Sequence, residues 1–145
     1  MKIAVSACLL GTNCKYNGGN NYSETLAAYL QGHEVIPFCP EVEGGMPIPR
    51  PAVEIVNGHI QTKDGEDFDD IFHYGVQVVM ERLEKEKINM AILQSRSPSC
   101  GVHQIYDGTF TKTLIEGQGL LAAALMEAKI KTIDIEDIEK EAFEK

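Results

Sequence analysis

The chain has 145 residues, of which 22 are acidic and 13 are basic, so its formal net charge at pH 7 is −9. Apolar residues make up 43% of the sequence, enough for one ordinary core, and the length suits a single domain over residues 1–145. The negative charge disfavours contact with a phosphate backbone, so we expect no nucleic-acid partner. No apolar run approaches the roughly 18 residues that a membrane span requires, so we expect no membrane partner.

The first third of the chain contains two strand signals and one helix signal. Residues 3–7 form a short apolar run that predicts a buried strand, and residues 11–21 are rich in Gly and Asn and predict a loop. Ser23 is the expected N-cap of a following helix. Residues 34–38 predict the second strand, and residues 40–51, which contain four prolines and a glycine pair, predict a long rigid loop.

The rest of the chain alternates between helix and strand signals and contains two small hairpins. Asn57-Gly58 and Asp107-Gly108 mark the hairpin turns. The predicted elements are, in chain order, a hairpin over 53–61, a helix over 67–87, a strand over 88–93, a hairpin over 105–112, a helix over 116–129, a strand over 130–135 and a terminal helix from 136. This alternation predicts a mostly parallel sheet with helices on both faces, a single-domain, Rossmann-like, three-layer α/β sandwich.

Three of the four cysteines lie where predicted strands end. Cys8 follows the first strand, Cys39 follows the second, and Cys100 lies in the loop after the strand over 88–93. Ligands bind outside the carboxyl ends of parallel strands, so the three thiols would converge if these strands are neighbours. Soft thiolates suit zinc, Cu(I) or an iron–sulfur cluster, and simple packing of buried cysteines is a further interpretation.

Other polar residues accompany the cysteines. Glu41 lies two residues after Cys39 and could act as a general acid or base, although a solvated loop acid is the plainer interpretation. Ser97 precedes the last cysteine in a serine-rich loop, where turn chemistry around a proline also accounts for serines. His103 is the nearest candidate for the fourth ligand of a zinc site. Cys14 lies in the Gly- and Asn-rich loop, and we assign it no role.

The start of the chain bears on the cellular compartment. Residues 5–8 resemble a lipoprotein cleavage box, but only six residues separate Met1 from Cys8, too few for the apolar core of a signal peptide. We therefore expect a cytoplasmic protein with reduced thiols. In that setting, thiols gathered at one sheet edge favour metal binding or catalysis over disulfides.

Three separated segments of the chain resemble the signature motifs of the DUF523 family. They are Cys8-Leu9-Leu10-Gly11 followed by Tyr16-Asn17-Gly18-Gly19, then Cys39-Pro40-Glu41-Val42 with Gly44-Gly45 and Pro49-Arg50, and finally Ser95-Arg96-Ser97-Pro98-Ser99-Cys100-Gly101. The resemblance covers residues 1–128. The family includes the thiouracil desulfurases, which remove sulfur from thiolated pyrimidine bases.

The resemblance implies a cofactor, a reaction and roles for five residues. Cys8, Cys39 and Cys100 would hold a [4Fe–4S] cluster whose fourth iron is free to bind the sulfur of the substrate. The implied reaction involves no oxidation or reduction. The C–S bond is replaced by a C–O bond whose oxygen comes from water, and sulfur leaves as hydrogensulfide. Glu41 would manage protons, and Ser97 would position the reacting groups. The expected substrate is a thiolated small molecule such as the nucleobase 2-thiouracil.

Two alternatives from other classes stay open. One is a cluster- or metal-binding redox or iron sensor without turnover, and the other is a metal-free small-molecule binding module. The charge distribution favours a small ligand: residues 1–63 carry five acids and four bases, whereas most of the acidic excess lies in residues 64–145. We therefore expect a nearly neutral pocket that suits an uncharged base, with Arg50 and, from the later loop, Arg96 near the site.

Overall fold

The protein is described by a computed structural model that covers residues 1–144, with side chains as far as Glu141. The strands are β1 (Lys2–Ser6), β2 (Glu34–Phe38), β3 (Glu54–Val56), β4 (His59–Gln61), β5 (Met90–Leu93), β6 (Gln104–Tyr106), β7 (Leu114–Glu116) and β8 (Lys131–Asp134). The helices are α1 (Glu24–Tyr29), α2 (Pro40–Glu43), α3 (Asp69–Glu86), α4 (Leu120–Glu127) and α5 (Ile135–Glu144), with a short 3₁₀ helix over Ala7–Leu10. Lys145, part of the predicted terminal helix, lies outside the described residues.

Four strands form one parallel sheet in the order β2-β1-β5-β8. The other four strands form two antiparallel hairpins, β3-β4 and β6-β7. The predicted parallel sheet and both hairpins are therefore confirmed. β2, β1 and β5 are adjacent in the sheet, and these are the three strands that precede the predicted cysteine ligands.

Side chains of the central sheet alternate between its two faces, as the period-two geometry of strands requires. One face packs against α3 and α4 through a core that includes Ala4, Ile36, Phe38, Val79, Leu83, Ala91, Leu93, Leu121 and Leu125. The other face packs against α1 and α5 through a core that includes Ile3, Val5, Leu26, Leu30, Met90, Ile92, Ile135 and Ile138. The predicted three-layer sandwich is confirmed. Within the described part of the chain, no helix is both long enough and apolar enough to cross a membrane.

Two local sequence signals produce the structures that they predict. Ser23 precedes α1, and its Oγ accepts a hydrogen bond from the backbone N–H of Leu26 at 3.2 Å. Asn57 and Gly58 join β3 to β4 with φ angles of 50° and 82°. Positive φ at both central residues is the requirement of a type I′ hairpin turn.

The residues after β2 differ from the prediction. The loop predicted over residues 40–51 begins as the one-turn helix α2, with Pro40 at its first position, where no N–H is needed. A Glu43 carboxylate oxygen accepts a hydrogen bond from the N–H of Cys39 at 2.9 Å. Arg82 of α3 pairs with the same carboxylate at 2.8 Å. A side chain from α3, far away in the sequence, therefore stabilises α2, and the local composition does not reveal this contact.

The second hairpin is wider than predicted. β6 ends at Tyr106 and β7 begins at Leu114, so the connection is the seven-residue loop 107–113 rather than a two-residue Asp-Gly turn. Because β7 extends to Glu116, α4 begins at Leu120 and not at residue 116 as predicted. Hydrogen bonds to Glu54, in the first hairpin, hold this wide loop.

Two glycines allow α2 to lie directly against α3. A Cβ added at Gly44 would lie 2.7 Å from the carbonyl oxygen of Ile71, and one added at Gly75 would lie closer still to the carbonyl oxygen of Pro40. Both distances are far inside van der Waals contact, so each position requires the absence of a side chain. The close approach fixes α2, which carries Glu41, against the longest helix.

Candidate functional site

A cavity of about 520 Å³ opens where the strands of the central sheet end, within the usual size range of small-molecule sites. Its wall includes Cys8, Cys14, Cys39, Cys100, Glu41 and Ser97. The structure thus brings together the three predicted cysteine ligands and the two predicted catalytic residues, with Cys14 among them, whereas His103 is not part of the wall. We call the four cysteines the thiol edge, and we call residues 51–61 and 104–116, which contain the two hairpins, the hairpin wall.

Each predicted cysteine ligand is placed by the element that follows its strand. Cys8 lies in the 3₁₀ helix after β1, Cys39 is the N-cap residue of α2 after β2, and Cys100 lies in the turn region after β5. Because the three strands are neighbours and parallel, their carboxyl ends share one edge of the sheet. The predicted convergence of these thiols at the cavity is observed.

Cys14 joins this group, although the sequence indicated no role for it. Its thiol hydrogen-bonds with those of Cys8 and Cys39, and it is only 5% exposed. Hydrogen bonding from Cys14, together with a bond from Asn21 Nδ2 to the Cys8 sulfur at 3.7 Å, lowers the pKa of Cys8. All four cysteines are free thiols.

The other three thiols favour their protonated forms. Hydrogen bonding with Cys14 and burial raise the pKa of Cys39, and burial raises the pKa of Cys100. The hydrogen bond from Cys39 favours the Cys14 thiolate, but donation to Cys8 and burial outweigh it and raise the pKa of Cys14 to about 11. Several thiolates side by side at this edge therefore require a bound cationic centre to compensate their charge.

The arrangement does not fit a single metal ion. Among the residues whose side chains are described, no three His, Cys, Asp or Glu groups are placed to hold one metal ion. His103, the candidate zinc ligand, lies outside the cavity wall, and its Nε2 hydrogen-bonds with Oδ2 of Asp137 at 2.7 Å. Three strand-end thiols that line one cavity suit an iron–sulfur cluster, in which each iron takes one thiolate.

Glu41 is held on both of its carboxylate oxygens. Nε of Arg50 donates to Oε1 at 3.1 Å, and the Ser99 hydroxyl donates to Oε2 at 3.2 Å. The Glu41 side chain is 16% exposed, and that of Arg50 is 3% exposed. The interpretation of Glu41 as a solvated loop acid is therefore wrong, because the carboxylate is oriented at the cavity wall by two donors.

Arg50 also ties three segments together. Its Nη2 donates to the carbonyl oxygen of Cys14 at 2.8 Å, and its Nη1 donates to that of Pro47 at 3.3 Å. One buried guanidinium therefore links the Gly- and Asn-rich loop, the proline-rich loop and Glu41. Sequence reasoning placed Arg50 near the site and in a family motif but did not assign this contact.

Ser97 organises the turn that carries Cys100. Its Oγ accepts hydrogen bonds from the backbone N–H groups of Ser99 at 3.0 Å and Cys100 at 3.1 Å. Hydrogen bonds from Ser6 and Ser97 to the Cys100 thiol partly offset the effect of burial on its pKa. The turn-chemistry interpretation of this serine is correct, and the same hydroxyl lies on the cavity wall.

The loop around Ser97 is braced from two sides. Ser95 donates to the buried carboxylate of Asp134, at the end of β8, at 2.5 Å. The first N–H groups of α4 donate to loop carbonyls, Leu120 to Pro98 and Leu121 to Ser99, both at 2.8 Å. These contacts satisfy helix N–H groups that have no partner inside the helix, and in doing so they hold the cysteine turn in place.

The wall of the cavity is more basic than predicted. Its charged members are Lys15, Arg50, Arg96, Lys112, Glu41 and Glu54, four cations against two carboxylates. The nearly neutral pocket expected from the charge of residues 1–63 is therefore wrong. Arg50 and Arg96 were expected near the site, so the additional positive charge comes from Lys15 and Lys112, which the sequence did not place there.

The fold and the site together define an α/β protein whose sheet edge carries four thiols and an oriented carboxylate around a small-molecule cavity. The chain belongs to the 2-thiouracil desulfurase family, whose model matches residues 3–137. The protein is therefore a desulfurase.

Two comparisons with individual proteins agree with this membership. The chain is 34% identical over 141 residues to the uncharacterized protein YbbK of Bacillus subtilis (strain 168), covering 90% of this chain and 93% of that protein. It is 35% identical to a solved structure named [4Fe-4S]-dependent thiouracil desulfidase TudS (DUF523Vcz), with a TM-score of 0.88 over 98% of this chain and 95% of that chain. The predicted DUF523 family and α/β fold are confirmed, and the predicted cofactor is the one named for that structure.

Proposed function

We propose that this protein is a cytoplasmic, single-domain desulfurase that holds a [4Fe–4S] cluster through Cys8, Cys39 and Cys100. Its proposed substrate is a thiolated nucleobase such as 2-thiouracil. One water adds at the carbon that carries sulfur, the C–S bond breaks, and sulfur leaves as hydrogensulfide without any change of oxidation state. The observation that carries the proposal is the convergence of three strand-end thiols on a cavity that also contains Glu41.

The residues present suit this cofactor. The thiols follow three adjacent strands of the sheet, are reduced, and line one cavity. A [4Fe–4S] cluster bound by three thiolates supplies one iron that acts as a Lewis acid toward sulfur. Cys14 lies beside Cys8 and Cys39 and is not assigned as a ligand.

Glu41 is the proposed proton carrier. Its two oxygens are oriented by hydrogen bonds from Arg50 and Ser99. Glu41 accepts a proton from the attacking water and returns it to the departing sulfur or to the ring nitrogen. Ser97 keeps the Cys100 turn in place and offers its hydroxyl to the reacting groups.

Anaerobic reconstitution with iron and sulfide tests the ligand assignment. Alanine variants of Cys8, Cys39 and Cys100 are each expected to lose the visible absorbance of the cluster and its iron content. Cys14→Ala is the matched control, another buried thiol of the same edge, and it is expected to retain both. Loss of the cluster in Cys14→Ala with retention in Cys100→Ala would reassign the ligand set.

Incubation with 2-thiouracil then separates the functional alternatives. The cluster-loaded protein is expected to form uracil and hydrogensulfide in equal amounts. A loaded protein that releases no sulfide from several thiolated bases would favour the sensor alternative. A protein that takes up no iron while remaining folded would favour the metal-free binding module.

A further inference from the structure

The loop of the second hairpin places a phenylalanine at the cavity in a rare backbone conformation. Phe110 and Lys112 line the cavity and have φ angles of 58° and 61°. Positive φ is uncommon for residues other than glycine, and it is rarer still for bulky side chains. Such conformations persist where surrounding contacts enforce them, and they are concentrated at functional sites.

A single carboxylate enforces this conformation. Oε1 of Glu54, in β3, accepts hydrogen bonds from the backbone N–H of Gly108 at 2.9 Å and from that of Phe110 at 3.2 Å. A Cβ added at Gly108 would lie 2.6 Å from the carbonyl oxygen of Ile55, so the loop lies directly on the first hairpin. Asp107 completes the turn by accepting hydrogen bonds within the loop.

The ring of Phe110 is not used in the core of the protein. It is half-buried and belongs to none of the three hydrophobic clusters formed by the described residues. Within that part of the chain, the one stacked aromatic pair is Tyr29 with His33, far from the cavity in the fold. Phe110 therefore presents an aromatic surface to the cavity, beside Tyr106 and the apolar Val53 of the same wall.

We propose that Phe110 is a specificity-determining residue that stacks on the planar ring of the substrate, and that Glu54 is the positioning residue that holds it there. The proposal rests on the proposed function and adds the feature of the substrate that is recognised, the planar face of its ring. Stacking on an aromatic side chain recognises the face of a base and leaves the thiocarbonyl edge free to point to the thiol edge.

Steady-state kinetics with 2-thiouracil tests the role of the ring. Because stacking contributes equally to the bound substrate and to the transition state, Phe110→Ala is expected to raise KM about 10-fold and leave kcat within about twofold. Phe110→Tyr retains an aromatic face and is expected to match the parent, whereas Phe110→Leu keeps an apolar side chain but is expected to behave like Phe110→Ala. Equal KM values for the leucine and tyrosine variants would overturn stacking.

A matched pair of variants tests the positioning role of Glu54. Glu54→Gln retains an oxygen acceptor and is expected to keep the KM of the parent, whereas Glu54→Ala releases the loop and is expected to raise KM about as much as Phe110→Ala. Cluster content should stay that of the parent in both variants, whereas Glu54→Ala should lower the melting temperature slightly, because two backbone N–H groups lose their acceptor. A Glu54→Ala variant with the KM of the parent would overturn this role.

Calorimetric binding of uracil separates this proposal from the proposed function. Uracil has the same ring and no sulfur, so its affinity does not require turnover. If Phe110→Ala binds uracil more weakly than the parent does, but neither protein releases sulfide, the result would support stacking and remove the desulfurase reaction. Unchanged uracil affinity and KM in Phe110→Ala, with active protein, would overturn stacking and leave the proposed function intact.

Discussion

The thiol edge and the hairpin wall face the same cavity but are built differently. The thiol edge stands on adjacent parallel strands with cores on both faces of the sheet, so buried apolar surface positions its cysteines. The hairpin wall has a small apolar contact with α3, centred on Ile60 and Phe72, and its long loop is held by hydrogen bonds to Glu54. In the roles that we propose, the rigid sheet edge holds the reacting groups and the hairpin wall selects the substrate.

Glu41→Gln is the change with the largest expected effect on activity. The amide cannot accept a proton from water, so kcat should fall roughly 10²- to 10⁴-fold, the usual contribution of general acid–base catalysis. Sulfide release measured on anaerobically loaded protein checks this. Cluster absorbance should be unchanged, and turnover equal to that of the parent would remove Glu41 from the mechanism.

Arg50→Met should weaken the bracing of the thiol edge. It leaves the Glu41 carboxylate and the carbonyl oxygen of Cys14 without their buried donor, which should lower the free energy of unfolding by about 2–3 kcal/mol. Urea denaturation of the parent, both single variants and the double variant with Glu41→Gln measures the coupling. The cost of Arg50→Met should be smaller in the Glu41→Gln background, and strict additivity would show that the pair does not interact.

Gly75→Ala tests the close contact between α3 and α2, the helix that carries Glu41. The added methyl group must displace α2, because it would meet the carbonyl oxygen of Pro40, and overpacking of this kind costs about 1–3 kcal/mol. Thermal unfolding should show a lower melting temperature, and kcat should fall with it. Tyr74→Ala, at the neighbouring exposed position of α3, is the matched control and should change stability much less.

The smallest predicted effect concerns His103, in the segment that joins the thiol edge to the hairpin wall. The hydrogen bond to Asp137 raises the pKa of His103, so this pair stabilises the fold below the ordinary histidine pKa. The contribution is lost as pH rises through the raised value. His103 is 61% exposed, so His103→Ala should cost only a few tenths of a kcal/mol at pH 5 and nothing at pH 9. Urea denaturation at the two pH values checks the sign, and an equal loss at both would show that charge is not involved.

Much of the thiol edge could be predicted because its signals are local. Short apolar runs indicated β1, β2 and β5; Cys8 and Cys39 closely follow the first two strands, and Cys100 lies in the loop after the third. The strand-end rule then brings Cys8, Cys39 and Cys100 to one edge without any knowledge of their contacts. The helix α2 was missed because its completing partner, Arg82, lies 39 residues from Glu43, and no local pattern reports such a contact.

The sequence by itself determined the parallel sheet, the family and the three strand-end cysteines, because periodicity and motif order are properties of neighbouring residues. Only the tertiary structure decided that Cys14 lies among those thiols, that Arg50 and Ser99 hold Glu41, and that Glu54 holds Phe110 at the cavity. The last three contacts join residues 9, 58 and 56 positions apart. They depend on the directions of single hydrogen bonds, which leave no periodic trace in a sequence and form only after the hydrophobic layers have packed.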